Sequence, residues 1–425
     1  MIKTTSIDRI LEKIAIPKIY TVQQKFENTS LIDIEKATKD ALSPGIVGLV
    51  KPKQRVALAV GSRGIANLPE LILAIIKILK NLGAQPFIVP AMGSHGGASA
   101  EGQKEVLAKI GITEDSMGIK IESSMDVVDL GEVEPGLPVY SDKFAASADA
   151  TLLIGRVKPH TSFRGPYESG LMKMAAVGLG KQKGAEICHK LGFSKIQERF
   201  VQIAETVLEK SNIVGGVAVI ENALHQLEHI ELVPANSISI REPELLKLSW
   251  EFYPSLPFNE LDVLIIQQIG KDISGTGLDS NVVGRYNSEA ANGGPEISRV
   301  VVLDASPKTG GNLNGIGLSD ITTKRVFEKI DFEETYPNSL TSTATQSVKI
   351  PMVMKNDKAA IQAAIRTCNA SDLTSIRLGW IQDTLSLNTI KVSERVQEEV
   401  SSLSRVQVET KQEEMRFTKD GTLII

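Results

Sequence analysis

The sequence predicts an α/β protein of two domains, each on a largely parallel sheet, with an active-site cleft between them. Three observations predict it. Apolar runs of strand length alternate with stretches of helical periodicity, the mark of parallel strands joined by crossover helices. The chain has 425 residues, too many for one ordinary core. The alternation breaks over residues 240–260, "IREPELLKLSWEFYPSLPFNE", which hold three prolines, and then resumes. Domains over 1–250 and 251–425 are expected, with the boundary near 245–260. The charged tail, 390–425, reads as a helix plus a hairpin free to pack on either domain, the first included.

In chain order, "QRVALAVGSRG" (54–64) reads as a buried strand and a glycine turn. The stretch 67–85 reads as a helix, with apolar Leu71, Leu73, Ile75, Ile76 and Leu79, and Gly83 as its stop. "PFIVPAMG" (86–93) is the next strand, and 99–112 the next helix with Ser99 as N-cap. "ATLLIGRVK" (150–158) is a strand, 194–210 a helix and "GGVAVIENA" (215–223) a strand. Beyond the break, 261–270, 297–306, 320–330 and 357–368 again alternate strand and helix.

Composition excludes several classes of function. A net charge of -4 lacks the basic excess of a broad nucleic-acid footprint. Two cysteines, Cys188 and Cys368, cannot build a disulfide framework or a cysteine-rich metal site. No run reaches the roughly 18–20 apolar residues of a membrane span, and the N-terminus has no signal-peptide core. A cytoplasmic protein without nucleic-acid or membrane partners is expected.

Ligands of open α/β sheets gather at the carboxyl ends of the strands. Polar, glycine-rich turns fall at such positions: "GSRGIAN" (61–67), "MGSHGGASAEG" (92–102), "GRVKPHTSFRGP" (155–166) and "QQIGKDISGTGLD" (267–279). They carry Arg63, His95, His160 and Lys271. An arginine at a strand end can grip a carboxylate or phosphate by two hydrogen bonds. Two histidines on one pocket can act as base and acid near neutral pH. Lys173 lies among small and apolar residues, where a lysine either snorkels or is used chemically. His189 alone cannot hold a metal. His225 and His229 read as surface residues. The glycines match neither a Rossmann fingerprint nor a P-loop, so an ordinary nucleotide site is weakly supported.

In order and spacing, Arg63, His95, His160, Lys173 and His189 resemble the nickel-dependent lactate racemase family, the 2-hydroxyacid racemases and epimerases. Lys173 and His189 stand sixteen positions apart. "QIGK" offers Gln268 and Lys271 for the family's later Gln-x-x-Lys. The resemblance covers most of the chain, best over 56–192. It implies a nickel-pincer nucleotide, a pyridinium-3-thioamide-5-thiocarboxylic acid mononucleotide, held covalently by Lys173. Two sulfurs and a ring carbon of that cofactor would bind nickel, and His189 would be the fourth ligand. It implies His95 and His160 as acid and base for opposite enantiomers, and Arg63, Gln268 and Lys271 as substrate-binding residues. Ser62 and Ser94 would donate to the cofactor phosphate, and the glycines would let the backbone approach the nucleotide. It also implies partners that make the cofactor and insert nickel.

The sequence departs from the family in two places. Val60 stands where an acid usually precedes the arginine. The stretch from His160 to Lys173 is longer and adds Arg164, Tyr167 and Glu168, which points to a substrate larger or more polar than lactate, such as a sugar acid. Two other readings stand beside the racemase: a different hydroxyacid enzyme on the same scaffold, such as a dehydratase, and a non-catalytic anion-binding protein.

Overall fold

The structure is a computed structural model that describes residues 5–27, 29–62, 64–190 and 193–424; the side chains at 189, 193, 194, 341 and 410 lie outside that description. In chain order the strands are β1 (Ile19–Gln24), β2 (Arg55–Val60), β3 (Gln85–Pro90), β4 (Val127–Glu132), β5 (Pro138–Asp142), β6 (Ala150–Arg156), β7 (Ile213–Glu221), β8 (Leu227–Pro234), β9 (Glu260–Ile269), β10 (Glu296–Ala305), β11 (Ile321–Thr323), β12 (Met352–Met354), β13 (Leu378–Ile381), β14 (Thr389–Ser393) and β15 (Val406–Glu413). The fold is α/β, and the chain divides into two compact units, Asn28–Tyr253 and Met1–Glu27 with Pro254–Ile425.

The unit 28–253 carries a five-stranded sheet in the order β3-β2-β6-β7-β8. Its first four strands are parallel, and β8 runs antiparallel at the edge. From β2 the chain passes through the helix Leu68–Asn81 to β3 on one side, and later returns to β6 on the other. The connections therefore change direction between β2 and β6, which opens a crevice at the carboxyl ends of those strands. Buried Val56, Leu58, Val60, Leu152 and Ile154 pack against Leu71, Ile72, Ile75 and Leu79 of that helix. The helix stops where Gly83 turns left-handed, with φ +77°. Ser99 caps the helix Ala100–Lys109 by accepting from the Gly102 N–H at 3.1 Å.

The other unit carries an eight-stranded sheet in the order β12-β11-β10-β9-β13-β14-β1-β15. β12 through β13 are parallel, and β14, β1 and β15 add antiparallel strands. Its core joins Val263, Ile265, Val301 and Leu303 to Ala360, Ile361, Ala364 and Ile365 of the helix Asp357–Thr367. The direction changes between β9 and β13.

Four expectations need correction. The first 27 residues belong to the unit of 254–425, not with 28–253, because β1 is hydrogen-bonded between β14 and β15. The tail 390–425 likewise stays in that unit and is not free to join the other: β15 pairs with β1, while the expected helix, Glu394–Val400, and a terminal antiparallel turn, with Phe417 bridged to Leu423, are both present. The stretch 320–330 opens as the short strand β11 before turning helical at Lys324–Glu328. Pro243 does not break the chain but sits inside the helix Ile238–Glu251. Its missing N–H leaves the carbonyl of Ser239 without a helical donor, and the Tyr167 hydroxyl donates to that oxygen at 2.6 Å.

Candidate active site

Three loops leave the carboxyl ends of β2, β3 and β6 and meet on one short helical segment. That segment starts at Gly170 and runs through an α-turn, Leu171–Lys173, and a π-turn, Met174–Gly178. A single π-turn inside helical structure often marks a functional site. The β2 loop arrives at Gly61, where a Cβ would lie 3.4 Å from the Met174 sulfur. The β3 loop arrives at Gly93, whose N–H donates to the Gly178 carbonyl at 3.2 Å. From the β6 loop comes Phe163, buried to 1% exposure. The Lys173 ammonium stands 5.5 Å from the centre of its ring, and His160 stacks on the same ring at 4.2 Å. One aromatic side chain thus joins His160 to Lys173.

His160 is held from both sides. Its N–H donates to the Glu168 carboxylate at 2.5 Å, and its ring Nδ1 accepts from the Ser162 N–H at 3.1 Å. A backbone N–H can only donate, so the neutral ring carries its proton on Nε2. Glu168 is 2% exposed, and burial raises its carboxyl above the ordinary range against the pull of the His160 N–H and Arg164. Arg164 donates to the His160 carbonyl at 2.6 Å and to Glu168 at 3.3 Å. Arg164, Tyr167 and Glu168 therefore brace the loop, and the case for a larger substrate built on them loses its support.

His95 is exposed, and its Nδ1 is in short hydrogen-bond contact with the Ser62 hydroxyl. Ser62, expected at a cofactor phosphate, is thus engaged with the histidine of the neighbouring loop. Ser94 is half-buried beside it. Arg63 lies outside the described residues.

After Gly178 the chain does not continue straight. Lys181 has φ +53°, which re-aims the next helix, Lys181–His189. A straight helix would put sixteen residues about 24 Å apart. The break folds the segment back, so that the Lys173 charge is felt at Cys188, whose thiol is nevertheless pushed up to about 12 by burial. His189 ends that helix; its side chain lies outside the described residues.

The glycines of this segment do not serve a nucleotide's approach, contrary to expectation. A Cβ at Gly165 would strike the Gln197 amide at 1.5 Å, at Gly170 the Glu242 carboxylate at 2.5 Å, at Gly178 the Ala91 carbonyl at 2.8 Å, and at Gly180 the Ala176 carbonyl at 2.4 Å. All four are small because the protein packs on itself there. Open space does lie beside Gly64 and Gly97, in the β2 and β3 loops, where a Cβ would meet nothing within 4 Å.

Sequence reading missed two residues here. Glu242 is 1% exposed, and its carboxylate accepts from the Met172 N–H at 3.0 Å, at the start of the turn that carries Lys173. Lys181 has no exposure and pairs with Asp142 at 3.0 Å. Burial pushes the Asp142 carboxyl up and the Lys181 ammonium down, and each charge counters the other's shift. "GKQKG" carries two lysines, and no short-range signal separates the first from the second.

In the other unit, Gln268 and Lys271 sit at and just beyond the carboxyl end of β9. The Gln268 amide donates to Asp383, beyond β13, at 3.2 Å, across that sheet's change of direction. The Lys271 ammonium donates to the Gly275 carbonyl at 2.6 Å. His225 lies in a turn with φ +57°, and His229, on β8, pairs with Glu231 at 3.0 Å. The two do not share a helical face.

Loops converging on a lysine turn at the switch point of a parallel sheet define an α/β protein with a candidate active site in residues 61–189. Residues 12–199 match the model of the lactate racemase N-terminal domain. Over this stretch the chain is similar to that domain. A solved structure, the lactate racemase apoprotein from Thermoanaerobacterium thermosaccharolyticum, is similar at 13% identity over 92% of this chain and 96% of that one, with a TM-score of 0.48. No curated protein matches.

Proposed function

We propose that this protein is a racemase or epimerase of a 2-hydroxyacid, working with a nickel-pincer nucleotide tethered to Lys173. The observation that carries the reading is the convergence of the β2, β3 and β6 loops on the Lys173 turn. The donor set suits such a group. Among the described residues no cluster of three His, Cys, Asp or Glu side chains is placed to hold a metal, so a metal there needs donors from an organic partner. Lys173 offers a half-buried amine for the tether, and His189 ends the helix that folds back toward it. Gly64 and Gly97 leave room beside these loops for a ligand to approach backbone.

When bound, the group supplies an acceptor and donor of hydride at the substrate's α-carbon, which avoids a carbanion beside a carboxylate. The chain's own residues move the proton and hold the substrate. His95 and His160 are the proton carriers at the substrate hydroxyl. With Ser162 on its Nδ1, neutral His160 presents an Nε2–H, so it is poised to donate. To accept a proton at Nε2 it must first give up the Ser162 contact. His95 has a hydroxyl on its Nδ1, which can donate or accept, so its ring is free to take either role. Arg63, Gln268 and Lys271 are assigned to the substrate's carboxylate and oxygen. Proteins that make the cofactor and insert nickel are the partners this reading requires. Among the described residues no helix is long and apolar enough to cross a membrane.

The test is peptide mass spectrometry of protein produced with the cofactor pathway present. A nucleotide adduct is expected on the peptide containing Lys173, and Lys173→Ala should lose both the adduct and racemisation of 2-hydroxyacids while keeping its circular dichroism. An adduct on Lys181 or Lys183, or full activity in Lys173→Ala, sinks the assignment.

A further inference from the structure

Between Lys173 and His189 the chain holds a lysine that the proposed chemistry does not use. Lys181 is wholly buried. Its ammonium donates to the Pro90 carbonyl at 2.5 Å and to Gln103 Oε1 at 2.9 Å, and it pairs with Asp142 at 3.0 Å. Each partner comes from a different element: the end of β3, the helix Ala100–Lys109 and the end of β5. Gln103 is also wholly buried. While its oxygen accepts from Lys181, its nitrogen donates to the Gly93 carbonyl at 2.9 Å and to the His95 carbonyl at 3.3 Å. An amide is the one side chain of this length that can accept on one side and donate twice on the other.

The His95 loop is built to receive this contact. A Cβ at Gly96 would lie 2.6 Å from the Gly102 carbonyl carbon, and one at Gly102 only 2.0 Å from the Gly96 oxygen. The loop therefore lies backbone against backbone on the first turn of the helix that carries Gln103. On its other side Gly93 reaches Gly178.

We infer that Lys181 and Gln103 are positioning residues that fix the His95 loop to the Lys173–His189 segment. The catalytic meaning of this rests on the proposed function; the mechanical link does not. The buried pair of Lys181 and Asp142 costs much desolvation and is weak evidence for stability. Its use is geometric: it anchors the amide that holds two carbonyls of the loop. Any shift at Lys181 is then passed to His95, 86 positions away in sequence.

The test uses the full chain without cofactor. Gln103→Glu keeps an acceptor for Lys181 but cannot donate to Gly93 and His95; Gln103→Leu removes both functions. In Gln103→Glu, hydrogen exchange of the amides of 93–98 should speed about tenfold or more, the scale of one or two hydrogen bonds lost. Exchange over 158–168, in the His160 loop, should stay as in wild type. The His95 ring resonances should shift as its Ser62 contact loosens, while those of His160 do not. In loaded protein, kcat should fall with KM nearly unchanged. Unchanged exchange over 93–98 in Gln103→Glu overturns the inference. So does faster exchange spread equally over both loops, which means general destabilisation. Loaded wild-type protein that fails to racemise any 2-hydroxyacid removes the proposed function and leaves the exchange result standing.

Discussion

Glu242 has no basic partner among the described residues, and one of its oxygens is buried without any hydrogen bond. Its carboxyl is pushed up to about 7, first by burial, against the pull of the Met172 and Leu171 N–H groups. The ordinary value in an unfolded chain is near 4.5. A folded-state value above the unfolded one means that the folded protein binds the proton more tightly. Stability is then greatest below about 4.5 and falls as pH rises through about 7. The shift corresponds to a change on the order of 3 kcal/mol. Glu242→Gln keeps the acceptor for Met172 and cannot ionise. Its stability by urea denaturation should match wild type near pH 5 and exceed it near pH 8. Equal pH slopes for the two proteins would refute this account. Among single residues, those at strand ends were legible, because a polar side chain in a glycine turn after an apolar run stands out. Glu242 was not: its setting depends on Met172, 70 positions away, and nothing near it in sequence signals burial.

At the level of elements, the alternation of strands and helices was readable wherever a strand is buried on both faces. β2, β3, β6, β7, β9 and β10 all fall within or beside their expected ranges. The helix stop at Gly83 and the cap at Ser99 were readable for the same reason, since each is a local matter of φ or of one side chain. What sequence did not show is the pairing of partners far apart, as β1 with β14 and β15, or the left-handed break at Lys181, a conformation expected of glycine. The glycines were recognised but given the wrong task. That task can be measured. At Gly178 an added methyl must push the Ala91 carbonyl aside, from 2.8 Å. Gly178→Ala should cost about 1–3 kcal/mol as overpacking does, despite the better helix propensity of alanine. It should also lower the yield of Lys173 adduct, because the π-turn and the His95 loop are wedged apart. Gly184→Ala, where the nearest atom is the Ala176 carbonyl at 3.0 Å, should cost less. Chemical denaturation of both variants ranks them, and the reverse order would show that crowding is not what keeps Gly178 small.

At the scale of the whole chain, the two units are not two halves of the sequence. Sheet order explains why. In the unit that contains β9 through β15, β1 fills the place between β14 and β15. Val22 of β1 has no exposure, and buried Gln24 donates to the Ser255 and Leu387 carbonyls at 2.8 and 3.3 Å. Periodicity alone could not place a six-residue strand from the start of the chain among strands some 370 residues later, since its two buried hydrophobics, Ile19 and Val22, suit either sheet. The consequence is a separation of effects. In a chain lacking residues 1–27, β15 has no neighbour to bond, and β14 becomes a bare edge. The sheet of 28–253 loses none of its strands, because β2, β3, β6, β7 and β8 all lie within that unit. Limited proteolysis of the shortened chain should therefore cut first within 401–414, and then elsewhere beyond 254, while a fragment spanning about 28–253 survives, since open sheet edges with low local stability are cleaved before packed ones. The full-length chain under the same protease should keep 401–414 intact for longer. If the shortened chain is cut first within 55–221, or if 401–414 resists equally in both, then β1 does not hold its end of the sheet together.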